Sequence, residues 1–491
     1  MEKISVIGSG FAGLSAAATM ASKGFHVDVY EKNDTIGGRA RQFEAEGFVF
    51  DMGPSWYWMP DVLEQFFERM GRSSNEFYKL ILLSPSFRIY FGKKDIIDIP
   101  SDFQDLCKLF ESIEPGSRNQ LQKFMKGAAF KYETGINKLV YKPGLSFKEY
   151  LDKDFLTGIF RLDVFSSFSN HVRKHFKDPR LIAIMEFPVL FLGAKPEDTP
   201  ALYSLMNYAG LKLGTWYPMG GFFKIIEGMK KVCEDKGVNF YTNSGVNSFN
   251  IDNGRITHLL IKNDKSIKTD GVIASADYHH VEQKILSPSH RTYSDQYWSS
   301  RILAPSALIF YLGVNKKINN LIHHNLFFDE DFEKHSREIY DSPQWPSKPL
   351  FYVCCPSKTD PSVAPEGKEN LFILIPIAPG LKDEESVREK YFKLVMERLE
   401  NITGENIVSE IVYKKSYCLN DFIKDYHSFK GNAYGLANTL YQTAFFKPSL
   451  KSKKVKNLFY AGQLTVPGPG VPPSVISGQV AANELLKIMK N

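Results

Sequence analysis

The chain has 491 residues, enough for two or three domains or for two built from interleaved segments. Hydrophobic residues make up 43% and aromatic residues 14%, with 38 phenylalanines, so the chain carries more apolar surface than its cores need and a large apolar ligand or a membrane contact is in play. Lys and Arg number 61 against 55 Asp and Glu, a net charge of +6, too slight an excess to call for a nucleic-acid partner but compatible with weak attraction to anionic lipid.

Five cysteines (Cys107, Cys233, Cys354, Cys355, Cys418) form no CxxC pair, which argues against zinc and iron–sulfur ligation. Their odd count and the lack of a secretory signal point to a reducing, cytoplasmic setting. No apolar run reaches the ~18 residues of a spanning helix. The longest, "LFILIPIA" (371–378) and "FPVLFLG" (187–193), read as buried strand or core segments. Any membrane contact is therefore expected to be peripheral.

The chain opens with a βαβ unit. Lys3 to Ile7 is β-branched, Leu14 to Ser22 is small and helix-favouring, Gly24 stops that helix, and His26 to Tyr30 is a second strand. Between strand and helix stands Gly8-Ser9-Gly10-Phe11-Ala12-Gly13. In such a motif Gly8 permits the tight turn, Gly10 lets the backbone approach a pyrophosphate, and Gly13 lets helix and strand pack closely. Phe11 and Ala12 then lie at a helix N-terminus facing phosphate. Glu31, eighteen residues past Gly13, is placed to accept from a ribose hydroxyl pair and disfavours a 2′-phosphate; Lys32 follows it in the same site.

Shortly after the acid comes Gly37-Gly38-Arg39-Ala40, a turn in which Gly38 can approach a phosphate and Arg39 can clamp it. Here the chain resembles the flavoprotein family that includes amine oxidases, protoporphyrinogen oxidase and the carotenoid desaturases, and the resemblance implies FAD. It also implies that Gly53, Pro54 and Ser55 pass near the flavin, and that the backbone of Val246 meets the adenine.

Further along, Pro218 to Gly221 form a turn, with a helix predicted over about 222–234, a strand over 238–241 and a parallel strand within 269–277. "ALIFYLGVNKK" (307–317) and "LFILIPIA" read as strands of a substrate-domain sheet, and "LFYVCC" as a strand carrying Cys354 and Cys355. At the C-terminus a strand over 457–460 ends in Ala461-Gly462, followed by a Pro/Gly loop and a helix from about Ser474. This resembles the closing motif of bacterial-type carotenoid desaturases, phytoene desaturases above all, and implies that Gly462, Gly470, Val471 and Pro472 contact the flavin. Many members carry a histidine after Ala-Gly; Gln463 to Val466 stand here, so no role is transferred to one.

The expected fold is α/β, with an FAD-binding Rossmann-type domain in separated segments (1–78, 217–285 and 452–491) and an interleaved α+β substrate domain (79–216 and 286–451). Between Lys123 and Arg180, basic residues alternate with aromatic ones such as Phe124, Phe130, Tyr132, Phe147 and Phe160, which suits a membrane-facing helical region or an ordinary solvated helix face. Trp56, Tyr57, Trp58 and Met59 supply large polarisable area, suited to lining a dry channel for a polyene or to plain core packing. His279-His280 and His323-His324 are adjacent pairs; neighbouring positions are not expected to converge on one metal, and no metal is expected.

The family implies desaturation by hydride transfer from an allylic carbon to flavin N5, then loss of a neighbouring proton. Such chemistry needs no indispensable protein acid or base, so no catalytic residue is named. The rivals are a desaturase or isomerase of another carotenoid, such as a hydroxycarotenoid 3,4-desaturase, then an amine oxidase on the same scaffold, then a non-catalytic FAD-containing carrier. The C-terminal motif holds no cysteine for a covalent flavin.

Overall fold

The computed structural model describes residues 2–146, 149, 166–190, 193–261 and 265–490. Its first layer is a five-stranded sheet in the order Leu458–Tyr460, Gly271–Ala274, Lys3–Ile7, His26–Tyr30, Asn239–Tyr241, with every pairing parallel. The sequences KISVI, HVDVY and GVIA are rich in β-branched residues and almost wholly buried, as strands covered on both faces must be. The sheet thus joins chain ends that lie more than 450 residues apart in sequence.

One face is covered by the helix Phe11–Ala21 (FAGLSAAATMA), which is nearly all small residues. It starts three residues earlier than the sequence suggested, because Gly10 holds the extended conformation of an N-cap and releases Phe11 into the helix. Its main partner is the C-terminal helix Val471–Met489. That helix also starts early: Pro472 and Pro473 occupy its first turn, where a missing N–H costs nothing. The two backbones nearly touch: a Cβ on Gly478 would lie 2.1 Å from the Ala12 carbonyl oxygen. Ser15 Oγ donates to the Val475 carbonyl across the same seam (2.7 Å).

The second layer is a seven-stranded mixed sheet in the order Ile411–Tyr417, Ser306–Val314, Glu369–Ile377, Phe351–Cys354, His324–Phe327, Phe87–Gly92, Asp95–Ile99. Its spine is the nine-residue antiparallel pairing of Ser306–Val314 with Glu369–Ile377. It is tied to the residues after the first βαβ unit by three long-range bonds. Tyr311 OH donates to the Met52 carbonyl (2.8 Å), Asn370 Nδ2 to the Val49 carbonyl (2.7 Å), and Tyr352 OH to Ser55 Oγ (3.0 Å). A three-stranded antiparallel sheet (Val246–Asp252, Arg255–Ile261, Lys265–Lys268) leans on the nucleotide side, its first turn made by Asn253 and Gly254 at positive φ.

Two expectations narrow. Of the two readings of "FPVLFLG", buried strand or core segment, the core segment holds over 187–190: these residues end the helix Pro179–Leu190 with Phe187 and Val189 buried, and a short apolar run does not distinguish a buried helix from a strand. The basic–aromatic stretch is in part a folded interior. On the helix Ser117–Thr134, Phe124, Lys131 and Tyr132 are buried, and Lys131 Nζ donates to the Ala201 carbonyl (3.1 Å). Phe147, Lys148 and residues 150–165 of that stretch lie outside the described residues. Among the described residues no helix is long and apolar enough to cross a membrane.

The helix seam yields a direct test. Gly478→Ala forces the two backbones apart and is expected to cost about 1–3 kcal/mol of stability, in the range of overpacked cores, with a lower thermal midpoint. An unchanged midpoint would mean that the seam yields freely.

Candidate active site

A cleft of about 180 Å³ opens at the C-terminal ends of the parallel strands, where Ile7, Tyr30, Ser275 and Ala461 line it. Gly8, Gly10, Phe11, Ala12, Glu31, Lys32, Gly38, Arg39, Val246 and Gly462 also line it, so the structure gathers these ten expected residues from four separate stretches of chain. Gly8 has φ +95° and its N–H bonds the Tyr30 carbonyl (2.8 Å), which turns the chain sharply between strand and helix. Gly13 does not line the cleft. Its place is structural: a Cβ there would lie 2.0 Å from the Gly8 carbonyl oxygen and would push the helix off the turn.

Glu31 is buried and firmly held. One carboxylate oxygen accepts from Ser9 N (3.0 Å) and Ser9 Oγ (2.7 Å), the other from Asn33 N (2.9 Å). A carboxylate offers about four lone-pair sites, which leaves room for a further donor such as a ribose hydroxyl. Arg39 lies deep in the molecule yet is half-exposed because it borders the cleft. Its Nη2 donates to Ser428 Oγ (2.9 Å) and the Asn432 carbonyl (3.3 Å), and its guanidinium sits 5.0 Å from the Tyr426 ring centroid. Its Nε has no partner among the described residues. Burial pushes its pKa down from the usual guanidinium value.

The remaining expected cofactor residues stand beside the cleft rather than on its wall. Gly53 backs onto the Arg39 turn, where a Cβ would lie 2.6 Å from the Arg39 carbonyl oxygen. Pro54 follows it, and Ser55 accepts from Tyr352 OH. Gly470 caps the C-terminal helix and Val471 and Pro472 begin it; Ser474, one turn on, lines the cleft and its N–H bonds the Gly470 carbonyl (3.0 Å).

Sequence reasoning missed several lining residues. Asp277 follows the strand Gly271–Ala274 and accepts from His280 N (3.0 Å) and Phe429 N (3.3 Å). Burial raises its carboxyl to about 6. Asp425, Tyr426 and His427 arrive from the end of the helix Leu419–Tyr426, and Gln463 follows Gly462. His280 and His427 stack with centroids 3.9 Å apart at 9°, and burial lowers the pKa of both, that of His280 to about 3. Only Asp277 carried a usable signal, as an acid just beyond a predicted strand.

A second cavity, of about 70 Å³, lies against the large sheet. Its walls are Phe187, Leu326, Phe328, Phe332, Ile339, Leu350, Phe351 and Leu374, with Tyr352 and Tyr434. His335 also lines it, but its ring is fully engaged, with Nε2 2.9 Å from the Pro376 carbonyl oxygen and Nδ1 accepting from Leu350 N (3.0 Å). Two polar atoms of wall residues are buried with no partner among the described residues: Ser336 Oγ and Tyr340 OH. Tyr352 links the cavity to Ser55, and so to the segment expected beside the flavin.

None of the four aromatic-loop residues lines the cleft or this cavity. Trp56 stands directly behind it, in contact with Phe187 (5.9 Å between centroids) and Tyr352 (5.5 Å). Tyr57, Trp58 and Met59 are buried core; Tyr57 OH pairs with Tyr78 OH (2.9 Å) and Trp58 Nε1 donates to Thr215 Oγ1 (2.9 Å).

The histidine pairs differ. His279 and His280 diverge, one stacked on Phe429 and the other on His427. His323 and His324 do not: their ring centroids are 4.5 Å apart, beside Cys354. His323 precedes the strand His324–Phe327, so strand alternation does not send it to the opposite face.

Backbone free to approach, an anchored acid and an arginine whose Nε has no partner among the described residues fit a flavin dinucleotide. Arg39→Ala removes a charge-assisted contact of about 1.5–3 kcal/mol and is expected to weaken FAD binding roughly 10- to 100-fold. Arg39→Lys, lacking the planar fork, is expected to recover only a small part. Fluorescence titration of apoprotein with FAD reads both; an Ala variant with unchanged affinity would remove Arg39 from the site.

Comparison with known proteins agrees with this geometry. The chain is 39% identical over 487 residues to a carotenoid 3,4-desaturase of Haloarcula japonica, covering 99% of this chain and 98% of that one. It is 30% identical over 492 residues to a zeta-carotene-forming phytoene desaturase of Myxococcus xanthus, covering 99% and 94%. The crystal structure of an oxidoreductase from Methanosarcina mazei shares the fold at TM-score 0.64 and 18% identity, covering 100% of both chains. The family model for flavin-containing amine oxidoreductases matches residues 11–486, and the chain belongs to that family.

Proposed function

We propose that this chain is an FAD-dependent carotenoid desaturase that inserts double bonds into a long apolar polyene, with phytoene as its principal substrate. The observation that carries this reading is an almost wholly apolar cavity one hydrogen bond, Tyr352 to Ser55, from the residues that follow the nucleotide motif. Two relatives aligned over nearly the full length bear the same kind of activity in their names.

Bound FAD supplies a two-electron acceptor for a hydride from an allylic carbon. The chain's own residues hold, orient and keep dry. Glu31 offers its remaining lone pair to the ribose, while Arg39 and the glycine turn hold phosphate. Phe187, Leu326, Phe328 and Leu374 remove water from the polyene, with Trp56 as a second layer of wall behind Phe187 and Tyr352. Among the described residues the cavity lining holds no carboxylate, lysine or arginine, and both nitrogens of His335 are engaged. The flavin half comprises 1–78, 217–285 and 452–491, and the substrate half 79–216 and 286–451.

An insoluble substrate calls for loading from a bilayer, and we assign the contact to an exposed apolar patch of a cytoplasmic, peripheral protein. Leu145, Tyr441 and Phe446 are 40%, 76% and 46% exposed. The turn at Gly144 packs on Ala444 and on Val466 of the C-terminal loop, so this patch adjoins the flavin half.

A second reading is favoured by Ser336 and Tyr340. Two hydroxyls on an apolar wall with no partner among the described residues suit an oxygen on the substrate, hence a hydroxylated carotenoid.

The test is FAD-loaded protein with liposomes carrying either phytoene or a hydroxylated acyclic carotenoid. Fine-structured visible bands growing from colourless phytoene support the first reading. A long-wavelength shift of the hydroxylated carotenoid alone supports the second; Tyr340→Phe with Ser336→Ala would then lower kcat/KM on it about tenfold, the worth of one or two hydrogen bonds. No change in either would overturn the carotenoid reading.

A further inference from the structure

Apart from the cleft and the apolar cavity, one buried cluster has ligand capacity that the fold leaves unspent. His323 and His324 enter the strand His324–Phe327, and Cys354 is the register partner of His324 on the neighbouring strand. A ring nitrogen of each histidine and Cys354 Sγ all lie within 4.8 Å of one another, and all three residues are buried. Each histidine is held through Nδ1: His323 at 2.7 Å from Thr359 Oγ1, His324 at 2.6 Å from Tyr352 OH. Tyr352 gives its own proton to Ser55 Oγ, so it accepts from His324 Nδ1–H, and His324 Nε2 is left with a bare lone pair. Both Nε2 atoms are buried and have no partner among the described residues. Orphaning a buried polar atom costs about 1–3 kcal/mol, and this cluster holds two.

A small cavity of about 20 Å³ touches the cluster, lined by Asp51, Ser55, His323 and Cys354 among others. That is room for one water molecule. Asp51 accepts from Phe222 N (2.8 Å) and Gln42 Nε2 (3.1 Å).

We propose that His323, His324 and Cys354 form a buried site for one d10 cation, Zn2+ or Cu+, which pins the large sheet to the segment 51–55 beside the flavin site. The donor set is two imidazoles and one thiolate, the mixture these borderline and soft cations select. Hydroxyls on Nδ1 orient both rings, as the outer partners of metal-bound histidines do. Binding displaces the proton of the Cys354 thiol. The S–H bond breaks, the metal–sulfur bond forms, and the proton goes to solvent. With Cu+ the thiolate makes the site neutral. With Zn2+ the remaining positive charge faces Asp51 across the cavity, and a water there completes four-coordination. Neither a CxxC pair nor a His-x-x-x-His spacing marks the set, so sequence spacing hides it.

The test uses the full chain with FAD bound, purified without an affinity histidine tag from cells grown with added zinc and copper. Elemental analysis is expected to find about one zinc or copper per chain, as a closed site retains its ion. Cys354→Ser and His323→Gln are expected to lose most of it while His279→Gln retains it. Should the first two variants fail to fold, cobalt-grown wild type decides: a cobalt–thiolate charge-transfer band and d–d bands to the red of the flavin absorption support Cys354 as ligand. Wild-type protein with only background zinc and copper, or cobalt-grown protein without those bands, would overturn the proposal and leave the two nitrogens to a trapped water. Neither readout depends on turnover, so this outcome is separable from the fate of the desaturase reading.

Discussion

The distance at which two backbones can meet governs this structure. The first helix must lie close enough to its strand for the turn between them to present amide groups to a phosphate, and close enough to the C-terminal helix to close the sheet's face. Gly13 against the Gly8 carbonyl and Gly478 against the Ala12 carbonyl are the two points where a single methyl group would break that arrangement. The small residues of FAGLSAAATMA serve the same end. Everything functional hangs on this seam, because the cleft exists only while Lys3–Ile7, Gly271–Ala274 and Leu458–Tyr460 stay side by side.

The two halves divide the chemistry by polarity. The cleft is built from backbone turns, anchored carboxylates such as Glu31 and the arginine Arg39, a surface suited to a charged dinucleotide. The cavity on the large sheet is built from rings and branched chains, a surface that keeps water away from a hydrocarbon. Between them runs a narrow polar link, Ser55 to Tyr352 to His324, inside otherwise aromatic packing, where His324 lies flat on Trp56 at 4.2 Å. A buried polar link between two such surfaces fixes their relative position more sharply than apolar packing alone.

Much of the nucleotide half was legible because its signals are local. The turn at Gly8 to Gly13, the acid at Glu31 and the turn at Gly38-Arg39 lie within forty residues, and each has a physical cause readable from residue type. The contribution of Asp425 to His427 was not legible: those residues reach the cleft by tertiary packing, and nothing in their own spacing marks them. "FPVLFLG" left strand and core helix undecided for a related reason, since a run buried on all sides has no period to read. "WYWM" was recognisable as apolar, but whether a ring faces a channel or the core depends on contacts such as Tyr57 with Tyr78 and Trp58 with Thr215. The convergence of His323 with His324 turned on where a strand begins, and element boundaries are what sequence determines least.

The central claim is that a polyene held against the large sheet gives up a hydride to flavin bound in the cleft. The most direct measurement is anaerobic: rapid mixing of the FAD-loaded protein with carotenoid-bearing liposomes while the visible flavin band is followed. The account predicts that the flavin bleaches in step with lengthening of the polyene chromophore, and that the colour returns when an electron acceptor is admitted. A flavin that stays oxidised in the presence of every carotenoid tried, yet bleaches with an amine, would contradict it.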